Sequence, residues 1–162
     1  MKYFNGFCLK DEFKLFSEYI EDNAFTVAGF SYGAQKALTY ALKKNARIDK
    51  LQLFSPAYFE YSEKIIELNL RAFKNDKRKY IENFLKKAGF FNEKYLDYEC
   101  GESDLLNLFT FDWEIIKELN NVKIEIFLGE FDKIIALKKA EKFFKNYGDV
   151  YIIKKANHFL RS

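Results

Sequence analysis

Short apolar runs alternate along the chain with longer stretches in which apolar and charged positions recur at helical spacing, the pattern of an α/β protein. The runs at 3–4, 25–30, 48–54, 122–128 and 150–153 predict strands. Phe13, Phe16 and Ile20 sit at helical spacing and predict a helix over about 10–20, and further helices are expected over about 32–44 and 134–147. Between 61 and 118 no strand pattern appears, only amphipathic helical runs broken near Gly89 and Gly101. A parallel crossover needs a dozen or so residues. The gap from 55 to 121 is far longer, and reads as a helical insertion at the carboxyl end of a strand, where an open α/β sheet places its binding crevice.

The strands also report on their two faces. Val122, Ile124, Ile126 and Leu128 point one way and Lys123 and Glu125 the other; Leu51 and Leu53 likewise oppose Lys50 and Gln52. Parallel strands covered on both sides would read as continuous apolar runs. If the five strands lie side by side in sequence order, an arrangement implied by the family resemblance given below, right-handed crossovers put every helix on one face. With the chain ending four residues after His158, no terminal helix is expected over the other face. That face is then expected to be partly solvated or covered by a partner subunit, as in a homodimer.

The chemistry centres on Gly29-Phe30-Ser31-Tyr32-Gly33, a G-x-S-x-G between a predicted strand and a predicted helix. That is the setting of a nucleophile elbow, whose glycines permit a tight turn and whose serine hydroxyl stands above the sheet. A serine needs a base, and the base needs a carboxylate to hold its tautomer. Asp132, past the strand at 122–128, and His158, past the last strand, follow Ser31 in the order Ser, acid, His at the same sheet edge. Competing assignments are a structural histidine and a turn or cap aspartate. The single histidine of the chain nevertheless stands where the elbow requires one. The backbone N–H of Tyr32 and that of Phe7, in the turn Asn5-Gly6-Phe7, are the candidate oxyanion donors.

Composition narrows the alternatives. The chain has 162 residues, 49% hydrophobic and 19% aromatic, enough for one domain with a sizeable core. We therefore read residues 1–162 as one domain carrying a helical lid insertion at about 57–118. A net charge of +3 does not imply nucleic acid. One histidine and two separated cysteines, Cys8 and Cys100, leave no zinc-finger or His-based metal site, and no cofactor or metal is expected. The cysteines are too few for a disulfide framework and suit a reducing compartment. No apolar run of signal-peptide length opens the chain and no membrane span is visible, so a cytoplasmic protein without a membrane partner is expected. Basic residues cluster at 71–87, where Arg71, Lys74, Lys77, Arg78, Lys79, Lys86 and Lys87 face only Asp76 and Glu82. The rest of the chain is thus net acidic. Such a cluster is either a solvated helix face or a docking surface for an acidic partner.

Five segments carry a family likeness: Phe4-Asn5-Gly6-Phe7, the stretch VAGFSYGAQKAL, the stretch LQLFSPAYF, Gly129-Glu130-Phe131-Asp132 and Asn157-His158-Phe159. Through them the chain resembles the α/β-hydrolases, and among these the pimeloyl-acyl-carrier-protein methyl ester esterases of the BioV type. The likeness covers most of the chain except the helical insertion. It implies a truncated α/β-hydrolase fold of about five mostly parallel strands, lacking those before the oxyanion loop and one between that loop and the elbow. It also implies a serine carboxylesterase of biotin precursor synthesis acting through Ser31, Asp132 and His158, with Phe7 and Tyr32 as oxyanion donors. Its partner would be an acidic acyl carrier protein, met by Arg71, Lys74, Lys77, Arg78 and Lys79. Asn5-Gly6 stands where His-Gly is common in the wider superfamily. A different small-acyl esterase or thioesterase, and an inactive hydrolase-fold binding protein, are the other functions this pattern accommodates.

Overall fold

The structure is a computed structural model describing residues 1–43 and 45–162. Five strands, β1 (Lys2–Phe4), β2 (Thr26–Phe30), β3 (Lys50–Phe54), β4 (Lys123–Gly129) and β5 (Asp149–Ile153), form one parallel sheet in the order β1-β2-β3-β4-β5. Helix α1 (Tyr32–Leu42) links β2 to β3 and α5 (Leu137–Phe144) links β4 to β5. Between β3 and β4 stand α2 (Glu63–Asn75), α3 (Lys77–Ala88) and α4 (Glu102–Thr110), with short 3-10 turns at Glu93–Tyr95 and Trp113–Glu118. The expected breaks near Gly89 and Gly101 are real. Gly89 ends α3 in the left-handed conformation at φ 98°, which a side chain would strain, and Gly101 is the N-cap of α4. The predicted helix at 32–44 ends at Leu42, and Lys44 lies outside the described residues. Among the described residues no helix is long and apolar enough to cross a membrane.

Strand alternation builds the core. Leu51, Leu53, Ile126 and Leu128 are fully buried, as are Ala34, Ala37 and Leu38 of α1 and Ala140 and Phe144 of α5. A β-carbon on Gly29 would meet the backbone of Gly33 and Ala34, and one on Gly148 would meet Ile124 and Ile126. Helices α1 and α5 therefore cover the face carrying Gly29, Leu53 and Ile126.

The other face overturns two expectations. Residues 10–20 form no full helix, only a five-residue 3-10 turn over Glu12–Phe16. This β1–β2 connection lies opposite α1 and α5: Phe16 packs on Phe30 and Phe54 with ring centroids 4.8 and 5.0 Å apart, and Tyr19 packs on Phe127 at 5.4 Å. It thus crosses with the opposite hand to α1 and α5, and the helices and turns do not all share one face. The preference for right-handed crossovers comes from a helix packing back on twisted strands, and a loop with one 3-10 turn escapes it.

That loop also accounts for the polar residues on this face. Gln52 Nε2 donates to the Tyr19 carbonyl (2.9 Å) and to Glu125 Oε2 (2.9 Å), while Gln52 Oε1 accepts from Glu21 N–H (2.9 Å). Glu125 is buried beneath it. Burial alone would raise its pKa, but bonds from Lys123, Gln52 and Lys50 outweigh that and hold it below the usual glutamate range. Lys123, with its side chain 54% exposed, and Tyr151 on β5 remain open to solvent. The expected open face is therefore confined to the β4–β5 side; over β2, β3 and Glu125 the chain covers itself.

The cysteines are also corrected. Cys8 and Cys100 form a disulfide with their Cα atoms 5.2 Å apart, so the argument from free thiols for a reducing compartment falls. Nothing in their spacing of 92 residues announces the pairing. The bond joins the loop after β1 to the helical block, beside the antiparallel bridge Leu9↔Leu96 and the bonds Lys10 N–H to Tyr95 O and Asp97 N–H to Cys8 O, both 2.9 Å. A cross-link closing so long a loop restricts the unfolded chain. Cys100→Ser is expected to lower the free energy of unfolding by about 2–4 kcal/mol in urea titrations; coincident curves for variant and parent would contradict this.

Candidate active site

The parallel sheet delivers its loops to one edge, and three of them meet. Ser31 holds φ 53° and ψ −111° directly after β2. Its N–H donates to the Phe54 carbonyl (2.9 Å), and its carbonyl accepts from Ala34 N–H (3.1 Å) and Ala57 N–H (3.2 Å), which pins the turn between β3 and α1. A non-glycine residue in such a conformation is strained, and the surrounding contacts must hold it there. Glycine is required on both sides, because β-carbons at Gly29 and Gly33 would overlap the backbone at Gly33 and at Phe4 and Asn5 respectively.

His158 Nε2 lies 3.0 Å from Ser31 Oγ, and His158 Nδ1 lies 2.6 Å from Asp132 Oδ2. With its proton on Nδ1 donated to the carboxylate, the imidazole offers Nε2 as acceptor for the serine hydroxyl. Ser31 and His158 are 2% and 1% exposed, and the Asp132 side chain is fully buried. The two readings of the aspartate prove compatible. Asp132 Oδ1 accepts from Ile134 N–H (2.7 Å) and Ile135 N–H (3.1 Å) as a turn residue, leaving Oδ2 to the histidine. Helix α5 is not capped by it, since its N-cap is Ala136.

The acid and histidine loops are stitched together before either side chain is placed. Glu130 N–H donates to the Ile153 carbonyl (3.0 Å) and Phe131 N–H to the Ala156 carbonyl (2.8 Å). Asn157 Oδ1 accepts from Phe159 N–H (2.9 Å), and Asn157 Nδ2 donates to the Gly89 carbonyl (3.2 Å), tying the histidine loop to the end of α3. The His158 ring rests on Phe30 at 5.1 Å.

Tyr32 begins α1 and Phe7 follows the Asn5-Gly6 turn, and neither backbone N–H finds an acceptor among the described residues. Their side chains touch edge to face at 6.3 Å. Tyr32 Oη donates to Asp104 Oδ1 of α4 (3.1 Å), and burial followed by the Asp104 charge raises its phenol pKa above the usual value. Under the turn lies Glu12, which sequence reasoning passed over because it sits among charged residues in an expected helix. Glu12 is fully buried, and its Oε1 accepts from Gly6 N–H (2.7 Å) and from Tyr3 Oη (3.2 Å).

A cleft of about 390 Å³ opens between α2, α3 and the segment after β3. Phe59, Tyr61, Phe84, Phe109 and Ile134 supply its apolar wall, and its polar wall carries the cations Lys79 and Lys87 together with the carboxylate Asp76. Ile134 belongs to the Asp132 turn, and Phe84 packs on Phe7 at 6.1 Å, so the cleft adjoins both that turn and the loop bearing Phe7. Ser31 and His158 do not line it. Of the basic residues anticipated at 71–79, only Lys79 lines the cleft. Lys74 pairs with Glu102, Arg78 pairs with Glu82 and Glu93, Lys77 donates to the Tyr98 carbonyl, and Arg71 does not reach the lining. Lys87, part of the basic cluster read from sequence but not of the set expected to meet the carrier, is the second cation at the cleft. Phe73 is buried against Phe7 and Tyr80, whereas Phe84 packs on Phe7 and also lines the cleft.

No family model matches the sequence, and no curated protein matches it. Solved structures match in fold. A lipase-esterase related protein from Clostridium acetobutylicum superposes with a TM-score of 0.73 at 16% identity, covering 98% of this chain and 86% of that one. An esterase (EaEST) from Exiguobacterium antarcticum gives 0.65 at 18% identity, covering 82% of this chain and 58% of its own. MenH from S. aureus gives 0.61 at 12% identity, with coverages of 96% and 85%. The chain thus spans 58% of the length of the Exiguobacterium esterase. These likenesses, with five parallel strands and flanking helices, establish the α/β-hydrolase fold.

The buried Glu12 gives a signature in pH. Burial pushes its carboxyl from the ordinary 4.5 up to about 7, against the opposing bonds from Gly6, its own N–H and Tyr3, with Asp11 adding a smaller push upward. As pH rises the unfolded chain ionises first, so stability present below about pH 4.5 is lost through about pH 7, on the order of 3 kcal/mol. Glu12→Gln removes this loss. Its stability relative to the parent is expected to improve between pH 5 and pH 8 in thermal or urea unfolding; a difference that stays constant with pH would contradict the assignment.

Proposed function

We propose that the chain is a serine carboxylesterase that hydrolyses the methyl ester of a pimeloyl chain carried on an acyl carrier protein. The observation that carries the hydrolase reading is the unbroken line Ser31 Oγ–His158 Nε2 at 3.0 Å and His158 Nδ1–Asp132 Oδ2 at 2.6 Å. The carrier-bound substrate is suggested by the family resemblance and by the cleft, which joins an aromatic wall to the cations Lys79 and Lys87.

In this reading His158 takes the Ser31 proton as Oγ adds to the ester carbonyl carbon. The negative charge that develops on the carbonyl oxygen is received by the N–H groups of Phe7 and Tyr32. As the tetrahedral species collapses, the carbon–methoxy bond breaks and His158 returns the proton to the methoxy oxygen, releasing methanol. A water then attacks the acyl-serine with His158 again as base, and the free carboxylic acid leaves with the Ser31 hydroxyl restored. Asp132 stays ionised throughout and stabilises the imidazolium. The dry surroundings of Ser31 and His158 strengthen each of these interactions. Helices α2 to α4 act as a lid bearing the acyl site, and Lys79 and Lys87 meet the acidic surface or the prosthetic phosphate of the carrier.

Methanol release from methyl pimeloyl carrier protein, compared with hydrolysis of a small aryl ester, tests both layers. The parent is expected to cleave both. Lys79→Glu with Lys87→Glu is expected to raise KM for the carrier-bound ester at least about tenfold more than KM for the aryl ester, in line with two charge reversals at a docking contact. Equal changes on both substrates would contradict the carrier role, and no turnover of either would contradict the esterase.

A further inference from the structure

We propose that Glu12 is a positioning residue for the oxyanion site, holding the loop after β1 so that the Phe7 N–H faces the carbonyl oxygen of a substrate bound at Ser31. The inference deepens the esterase reading and rests on it.

The loop is fixed at successive atoms. Gly6 N–H donates to Glu12 Oε1 at 2.7 Å, and the Gly6 carbonyl accepts from Leu9 N–H at 3.2 Å. In a planar trans peptide the carbonyl and the following N–H point in opposite directions. With the Gly6 carbonyl tied back to Leu9, the Phe7 N–H is turned away from the loop interior and finds no acceptor among the described residues. Glu12 closes the other flank of the same residue. Space beneath is tight as well: a β-carbon on Gly6 would come within 2.7 Å of the Phe30 ring, the ring on which His158 rests.

The remaining contacts of Glu12 point to this role rather than to general stabilisation. Its second oxygen, Oε2, is buried without a partner among the described residues, and beyond its own residue its Oε1 accepts from Gly6 N–H and from the Tyr3 hydroxyl on β1. A carboxyl buried at such a cost, with half of its capacity unused, returns little to the fold. What it does provide is an acceptor placed under the loop that bears an oxyanion donor. A misplacement well under an ångström in such a donor weakens a bond that matters chiefly in the transition state.

Two variants separate reach from charge. Glu12→Gln keeps an oxygen at the length needed to accept from Gly6 N–H, whereas Glu12→Asp keeps the acid but withdraws it by one methylene. On p-nitrophenyl butyrate, with active sites titrated, Glu12→Asp is expected to lower kcat about tenfold with KM within about twofold of the parent. Its affinity for a trifluoromethyl ketone, whose hemiketal oxygen occupies the oxyanion position, is expected to fall by a similar factor. Glu12→Gln is expected to keep kcat within about threefold. A parental kcat and ketone affinity in Glu12→Asp, or an equal loss in Glu12→Gln, would overturn the proposal while leaving the esterase reading intact. A parent that turns over no ester would overturn that reading instead.

Discussion

The site depends on how closely the first turn of α1 approaches the ends of β1 and β2. Gly33 sits where any side chain would overlap the carbonyls of Phe4 and Asn5, and Gly29 where one would overlap Gly33. That contact has two results at once. It forces the chain through Ser31 at positive φ, lifting the hydroxyl off the sheet edge. It also brings the Asn5-Gly6-Phe7 loop against the N-terminus of α1, where the Tyr32 N–H finds no acceptor among the described residues. The Ser31 hydroxyl and the N–H groups of Tyr32 and Phe7 are thereby brought to one place by a backbone packing constraint.

Around this centre the structure spends hydrogen bonds on loops rather than on the triad itself. The Asp132 and His158 loops are zipped by two backbone bonds and further anchored to Gly89 through Asn157, so that the imidazole needs only Asp132 and Ser31 as partners. The loop after β1 is held from the helical block by the Cys8–Cys100 bond and the Leu9↔Leu96 bridge. Polar residues that the sheet pattern leaves on the second face are absorbed by the same connection, whose backbone groups satisfy Gln52. One irregular segment, residues 5–25, thus covers a sheet face and carries the loop that meets the N-terminus of α1.

Much of this was legible in the sequence because it follows from local pattern. The five strands, the G-x-S-x-G turn and the placing of Asp132 and His158 at one sheet edge come from periodicity and from the geometry of parallel sheets, while the order of the strands follows from the family resemblance. The misses have a common cause. The path of residues 10–20, the partner of Cys8, the burial of Glu125, and the pairs Lys74–Glu102 and Arg78–Glu93 are set by contacts beyond the reach of a local pattern. Helical spacing of Phe13, Phe16 and Ile20 fits a 3-10 turn on the sheet as well as a helix, and only the tertiary contact with Phe54 decides between them. A basic run in sequence likewise says nothing about which cations are already paired.

The central claim is that Ser31 is a nucleophile activated by His158, and its most direct test is covalent. After exposure to a fluorophosphonate, intact-protein and peptide mass spectrometry should show one adduct per chain, on the peptide containing Ser31. The rate of its formation should fall by about a thousandfold or more in His158→Ala, as expected when a serine loses its base. An adduct on another serine such as Ser55, no adduct at all, or an unchanged rate in His158→Ala would contradict the account.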